Sequence, residues 1–161
     1  MKKLLFILPI VLIFACKKPN QPSGPTGITG PSSISIFFKN NVGQDLLNST
    51  TPNAIDPLKI QLLDINEAGQ KSIYFKGHLD YPKGFRLMQD SSGANFMTLT
   101  YGGGFKVGNK ITRYLKFDDG SEDKITFEVI NPIYIENLWI NDILKATRNG
   151  SNVVAPVEIV K

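Results

Sequence analysis

From Ile34 to the carboxyl end, apolar and polar residues alternate with a period of two, and no window sustains the 3.6-residue period of a helix. Residues two apart share one face of a strand. Ile34, Ile36 and Phe38 therefore make one apolar face, and Leu58, Ile60 and Leu62 another. The same reading predicts strands over residues 72–77 with Ile73 and Phe75 inward, 85–89, and 95–101 with Met97, Leu99 and Tyr101 inward. It continues over residues 111–117 (Ile111, Leu115 and Phe117 inward), 124–130 (Ile125, Phe127, Val129), 133–140 (Ile133, Ile135, Trp139), 143–147 and 153–160.

Turn residues punctuate these runs. Asp118-Asp119-Gly120-Ser121 separates two matched strands and predicts a hairpin. Asn141-Asp142 and Asn149-Gly150 suit two-residue turns, and Gly102-Gly103-Gly104 breaks one strand from the next. Residues 45–48 allow one helical turn and no more. Half-buried alternating strands belong to antiparallel sheets with one face on a core. The pattern predicts an all-β domain over residues 34–161: an antiparallel β-sandwich (immunoglobulin-like or similar), with a small β-barrel as the alternative.

The amino end is different. Met1-Lys2-Lys3 is basic, Leu4 to Phe14 is apolar apart from Pro9, and Ala15-Cys16 follows. This is the order of a secretory signal. At 1.5 Å rise per residue the apolar run reaches only about half of a ~30 Å hydrocarbon core, too short for a lasting transmembrane helix. Ile13-Phe14-Ala15-Cys16 resembles the lipobox of bacterial lipoproteins. The resemblance implies cleavage after Ala15, a diacylglycerol thioether on Cys16 and acylation of the new amine. One acyl chain binds a membrane only marginally, whereas two or three give a stable anchor. Cys16 is the only cysteine, so no disulfide forms within the chain. Lys17 stands where the family's inner-membrane retention signal has Asp, which implies the outer membrane and leaves periplasmic and surface placement open. In composition the chain looks like small envelope lipoproteins of Bacteroidota.

Residues 16–33 then read as a lipidated tether. Pro19, Pro22, Pro25 and Pro31 alternate with Gly24, Gly27 and Gly30, too few triplets for a collagen helix. The fifteen residues from Pro19 to Ser33, at ~3.1 Å each, span about 45 Å. The chain has 18 Lys and Arg against 14 Asp and Glu. Lys2, Lys3, Lys17 and Lys18 carry the whole excess, so the domain is balanced at 14 of each and lacks the basic face of a nucleic-acid binder.

Candidate sites are few. A strand would place His78 and Asp80 on one face as a base and its orienting partner, but no G-x-S-x-G elbow supplies a nucleophile, and Ser91 and Ser92 are unmarked. A single histidine excludes multi-histidine zinc sites. Asp118, Asp119 and Asp123, with Glu122, are weak candidate calcium ligands: their spacing departs from the EF-hand, no second acidic segment accompanies them, and an exposed hairpin tip explains them better. Trp139 with Tyr134 offers a sugar-stacking surface, yet its parity with Ile133 and Ile135 predicts the core; Tyr74, Tyr81, Tyr101 and Tyr114 are scattered.

The expectation is a lipid-anchored envelope protein whose β domain binds or supports an envelope protein or glycan without catalysis, cofactor or nucleic acid. One alternative is an envelope hydrolase using Asp80, Asp118 or Asp123, two of which would have to stand about 5–10 Å apart. Another is a pilus or adhesion-type subunit that donates the strand holding Val153, Val157 and Ile159.

Overall fold

The computed structural model describes residues 33–102, 105–130, 134–148 and 156–161. The expected signal peptide with Ala15, Cys16, the expected tether up to residue 32, Ile133, the expected turn at Asn149-Gly150, and Val153 lie outside these residues. The alternating segments form strands β1 (Ser33–Lys39), β2 (Gln61–Ile65), β3 (Lys71–Ile73), β4 (Phe85–Gln89), β5 (Asn95–Thr100) and β6 (Phe105–Val107). They continue as β7 (Lys110–Lys116), β8 (Glu122–Ile130), β9 (Tyr134–Ile140), β10 (Ile143–Thr147) and β11 (Val157–Val160).

Two sheets result. The smaller runs β11-β1-β5-β4 and the larger β10-β9-β8-β7-β2-β3, with β6 also beside β7. Neither closes into a barrel, so the architecture is a β-sandwich. Pairing is antiparallel except between β1 and β11, where Ile36 faces Val157 in parallel register. The inward faces meet in one core. Phe38 from the smaller sheet sets its ring edge-on to Phe117, with centroids 5.7 Å apart, and Tyr101 lies 6.5 Å from Phe127. Leu46, Leu47, Ile55 and Ile60, from the long β1–β2 connection, join the same cluster. β11 occupies its own chain's sheet, with Val157 and Ile159 buried.

β7 organises the larger sheet. Its residues 113–116 pair with β2, and its residues 110–112 pair with β6 on that same edge. The changeover falls between Thr112 and Arg113. Arg113 occupies an inward position between Ile111 and Leu115 and is fully buried. Its Nε approaches Asp64 Oδ1 at 2.9 Å, as an ion pair without the alignment of a hydrogen bond. Nη1 donates to the Thr100 carbonyl of the smaller sheet at 3.0 Å, and the guanidinium lies 4.6 Å from the Tyr74 ring centre. Burial lowers the Arg113 pKa; the charge of Asp64 and then Tyr74 pull it back.

Three local expectations fail. Leu58 does not continue the apolar face of Ile60 and Leu62: it sits within the turn closed by the Lys59 amide on the Asp56 carbonyl, which leaves it 83% exposed. β3 ends at Ile73, and Tyr74 enters the core while Ile73 and Phe75 face outward, the reverse of the predicted parity. A bulge changes the parity of Trp139, as described below. Gly84 returns the chain from this region to β4 with φ +76°; a Cβ there would stand 2.6 Å from Leu62 Cδ2 and 3.0 Å from the Tyr74 ring.

Removing one member of a buried ion pair strands the other, at a cost of about 3–5 kcal/mol, whereas replacing both by apolar groups is near neutral or stabilising. Arg113 is the buried member, Asp64 being 25% exposed, so Asp64→Leu alone is expected to lose about 3–5 kcal/mol in urea unfolding, and Asp64→Leu with Arg113→Met to recover most of it. Equal losses in the two variants would refute this account of the pair.

Candidate functional site

The outward positions of β7, β8 and β9 build a broad hollow. On β7 these are Lys110, Thr112 and Tyr114; on β8, Lys124, Thr126 and Glu128. The β8–β9 register places Thr126 opposite Trp139 and Val129 opposite Ile135, with a shift between Glu128 and Val129. Glu136 is the extra residue of that bulge. Beyond it the inward positions are Leu138 and Ile140, and Trp139 is turned outward.

Thr112, Thr126, Trp139 and Leu144 thus form one transverse row over four strands, since each is the registered neighbour of the next. The two threonine hydroxyls are 3.2 Å apart. Beside this row stand Tyr114 and Lys124. The β2–β3 turn (Asn66, Glu67 and Gly69) and Val107 of β6 border the hollow on one side, and Asp142 borders it on another. Its volume is about 620 Å³, within the ~300–1,000 Å³ usual for small-ligand sites.

Two of the cations here, Lys124 and Lys71, pair with carboxylates. Lys124 Nζ donates to Asp142 at 2.7 Å, a bond that raises the lysine pKa. Lys71 pairs with Glu122 and lies 3.7 Å from the Tyr114 ring centre. Lys110 Nζ lies 4.4 Å from the Trp139 ring centre. Glu128 accepts from Asn137 at 2.6 Å and Asn109 at 2.8 Å, and these bonds, Asn137's first, hold its carboxyl below the usual value. The site therefore offers two aromatic side chains, paired hydroxyls and balanced charge. That chemistry suits a polar ligand with apolar C–H faces, without selecting strongly for either sign of charge.

The other sequence candidates fall elsewhere. His78 and Asp80 lie in the β3–β4 connection, not on a strand, so the shared-face argument fails. Asp119 takes the hydroxyl and amide of Ser121 within its own turn, which lowers its pKa. Asp123 points inward to Lys161 Nζ at 3.0 Å and accepts from Asn141 Nδ2 at 2.9 Å. Asp118, Asp119 and Asp123 thus make separate contacts, and no group of three His, Cys, Asp or Glu among the described residues is placed to hold a metal. Asp80 borders one hollow, while Asp118 and Asp119 border another. Ser92 is held by Asp90 at 2.6 Å. Tyr134 is not beside Trp139 in the row; Arg148 sits over it, 5.3 Å from the ring centre.

Comparison with protein-family models, with curated proteins and with solved structures finds no match.

If Trp139 serves the hollow and not the core, Trp139→Ala is expected to cost less than about 1 kcal/mol, against about 3–5 kcal/mol for Phe127→Ala directly beneath the sheet. Urea midpoints of the two variants test this, and a loss at Trp139 as large as that at Phe127 would return it to a packing role.

Proposed function

We propose that this chain is a lipid-anchored, non-catalytic binding module of the cell envelope, and that the hollow across β7, β8 and β9 takes a saccharide. The observation that carries the reading is the outward turn of Trp139 by the Glu136 bulge, onto a surface it shares with Tyr114 and two threonine hydroxyls. Pyranose rings present C–H faces to aromatic rings and hydroxyls at their edges. Thr112, Thr126, Asn66 and the paired Lys124 and Asp142 supply donors and acceptors for those edges. The lipobox-like Ile13-Phe14-Ala15-Cys16 supports export and anchoring, and Lys17 supports the outer membrane as the destination.

Trp139 is the only tryptophan, so its emission reports the hollow directly. Envelope oligosaccharides titrated into the protein are expected to shift that emission. Thr126→Val is expected to weaken the interaction about tenfold or more, one lost hydrogen bond with its partner left unpaired being worth 1.4 kcal/mol or above. Failure of every envelope glycan fraction to shift the emission would remove the saccharide reading. Separately, Cys16→Ser is expected to move the protein from the membrane to the soluble fraction; retention on the membrane would remove the anchor.

A further inference from the structure

The connection from β3 to β4, with Ile73 of β3 and Leu58 of the β1–β2 connection, carries a second surface, away from the row of Thr112, Thr126 and Trp139. Leu58, Ile73 and Phe75 are 83%, 60% and 66% exposed, and all three line one shallow hollow with Lys83. Lys83 Nζ fixes that hollow by donating to the Leu58 carbonyl at 2.8 Å. Leu79, further along the connection, is also exposed. Cations surround these residues. Lys76, Lys83 and Arg86 have no carboxylate partner among the described residues, and residues 74–86 contain a single acid, Asp80.

Large exposed apolar side chains grouped within a basic rim are the side-chain set of a membrane-interfacial surface: the apolar groups enter the boundary of the acyl chains and the cations meet anionic headgroups. The position of this surface in the fold singles out a bilayer as its occupant. Ser33, where the chain from Cys16 enters the domain, pairs with Thr100, and the Thr100 amide in turn bonds the Gly84 carbonyl, next to Lys83. Entry point and connection are therefore two strand spacings apart, about 10 Å. Only residues 17–32 separate Cys16 from Ser33, so lipid on Cys16 would hold this side of the sandwich at an effective concentration on the order of millimolar at the membrane. A patch too weak to bind vesicles on its own becomes occupied under that condition.

We infer that the surface built by Phe75, Leu79, Lys76 and Lys83 of the β3–β4 connection, with Leu58 of the β1–β2 connection and Arg86 of β4, docks on the anionic surface of the membrane that holds the lipid anchor. This rests on the anchor reading above, and the test separates the two. An environment-sensitive fluorophore is placed on Phe75→Cys or Leu79→Cys, with Val42→Cys as control. Val42 is 78% exposed in the turn beyond the far end of β1, about 23 Å along that strand from Ser33. Vesicles of phosphatidylethanolamine and phosphatidylglycerol carry brominated acyl chains as quenchers. The lipidated full chain is reconstituted in one arm. In the other, the mature Cys16→Ser chain is captured through an amino-terminal histidine tag on a chelating lipid. Trp139 emission confirms the fold of each variant.

In both arms the label at position 75 or 79 is expected to lose most of its emission, and the label at 42 almost none. Replacing phosphatidylglycerol by phosphatidylcholine is expected to reduce the quenching several-fold. Equal quenching at 75, 79 and 42, or none at 75 and 79, overturns the proposal. So does energy transfer between labelled copies without lipid quenching, which would place a second copy of the chain on the patch. The mass of the protein extracted from envelopes reports Cys16 independently: an unmodified cysteine alongside quenching in the captured arm counts against the anchor alone.

Discussion

The buried Arg113–Asp64 pair is the constraint on which the two sheets and the groove both depend. β7 has one edge to share between two partners, and β2 and β6 divide it end to end. At the changeover the inward position holds a guanidinium instead of an aliphatic group. Its three contacts belong to different parts of the chain: Asp64 at the end of the β2–β7 register, Thr100 at the end of β5 in the opposing sheet, and Tyr74 just after β3. Taking such a charge from water costs several kcal/mol, which its attraction to Asp64 must offset, so the pair adds little net stability over an apolar core. It acts instead on registration. A slip of β2 by one residue would send Asp64 to the outer face and leave Arg113 buried against apolar neighbours. The same strand that buries Arg113 presents Thr112 and Tyr114 on its other face, so the alignment fixed inside also fixes the groove outside.

The second constraint is a single inserted residue. Without the bulge at Glu136, strict alternation from Ile135 would bury Asn137 and Trp139 and expose Leu138 and Ile140. One extra residue reverses this: Leu138 and Ile140 enter the core and Trp139 joins the row of Thr112 and Thr126. Bulges re-aim side chains at the cost of one unpaired residue, and they concentrate near sites where a side chain is needed on the other face. Here the displaced residues settle well. Asn137 bonds Glu128 and accepts from Thr147, and Glu136 pairs with Arg148 at 2.9 Å.

Strand existence was largely legible in the sequence, because alternation is a local signal that burial imposes on each strand. β1, β4, β5, β7, β8 and β10 fall within a residue or two of the alternating runs. What could not be read locally was face. Ile135, Leu138 and Ile140 are spaced three then two, and with polar Glu136-Asn137 between them that spacing is itself a bulge signal; the parity reading that grouped Ile135 with Trp139 passed over it. Similarly, Arg113 stands at a core-parity position between Ile111 and Leu115, and Asp64 continues the parity of Ile60 and Leu62. Each alone looks like an interruption of an apolar face; only their pairing across β2 and β7 shows the reason for both. The groove residues Thr112, Thr126 and Tyr114 carried no signal, since outward threonines on strands are ordinary. β6 has three residues, too few for a period to show.

The exposed apolar side of the domain has a further structural reading. β3 is the terminal strand of the larger sheet, and such edges invite pairing with other chains unless they are short, charged or covered. β3 is three residues long and begins with Lys71, which protects it in part. Yet Ile73 on the edge itself, with Phe75 and Leu58 beside it, makes the least polar portion of that edge also the most exposed. In a freely diffusing protein this arrangement would favour association between copies. In a chain fixed to a bilayer near Ser33, the same side chains face a surface that covers them, and the cations of the β3–β4 connection match its charge. The exposed edge and the patch beside it thus both fit the membrane docking proposed above. The groove lies across the middle strands β7, β8 and β9, so a surface covering the β3 edge would leave the transverse row of Thr112, Thr126 and Trp139 open.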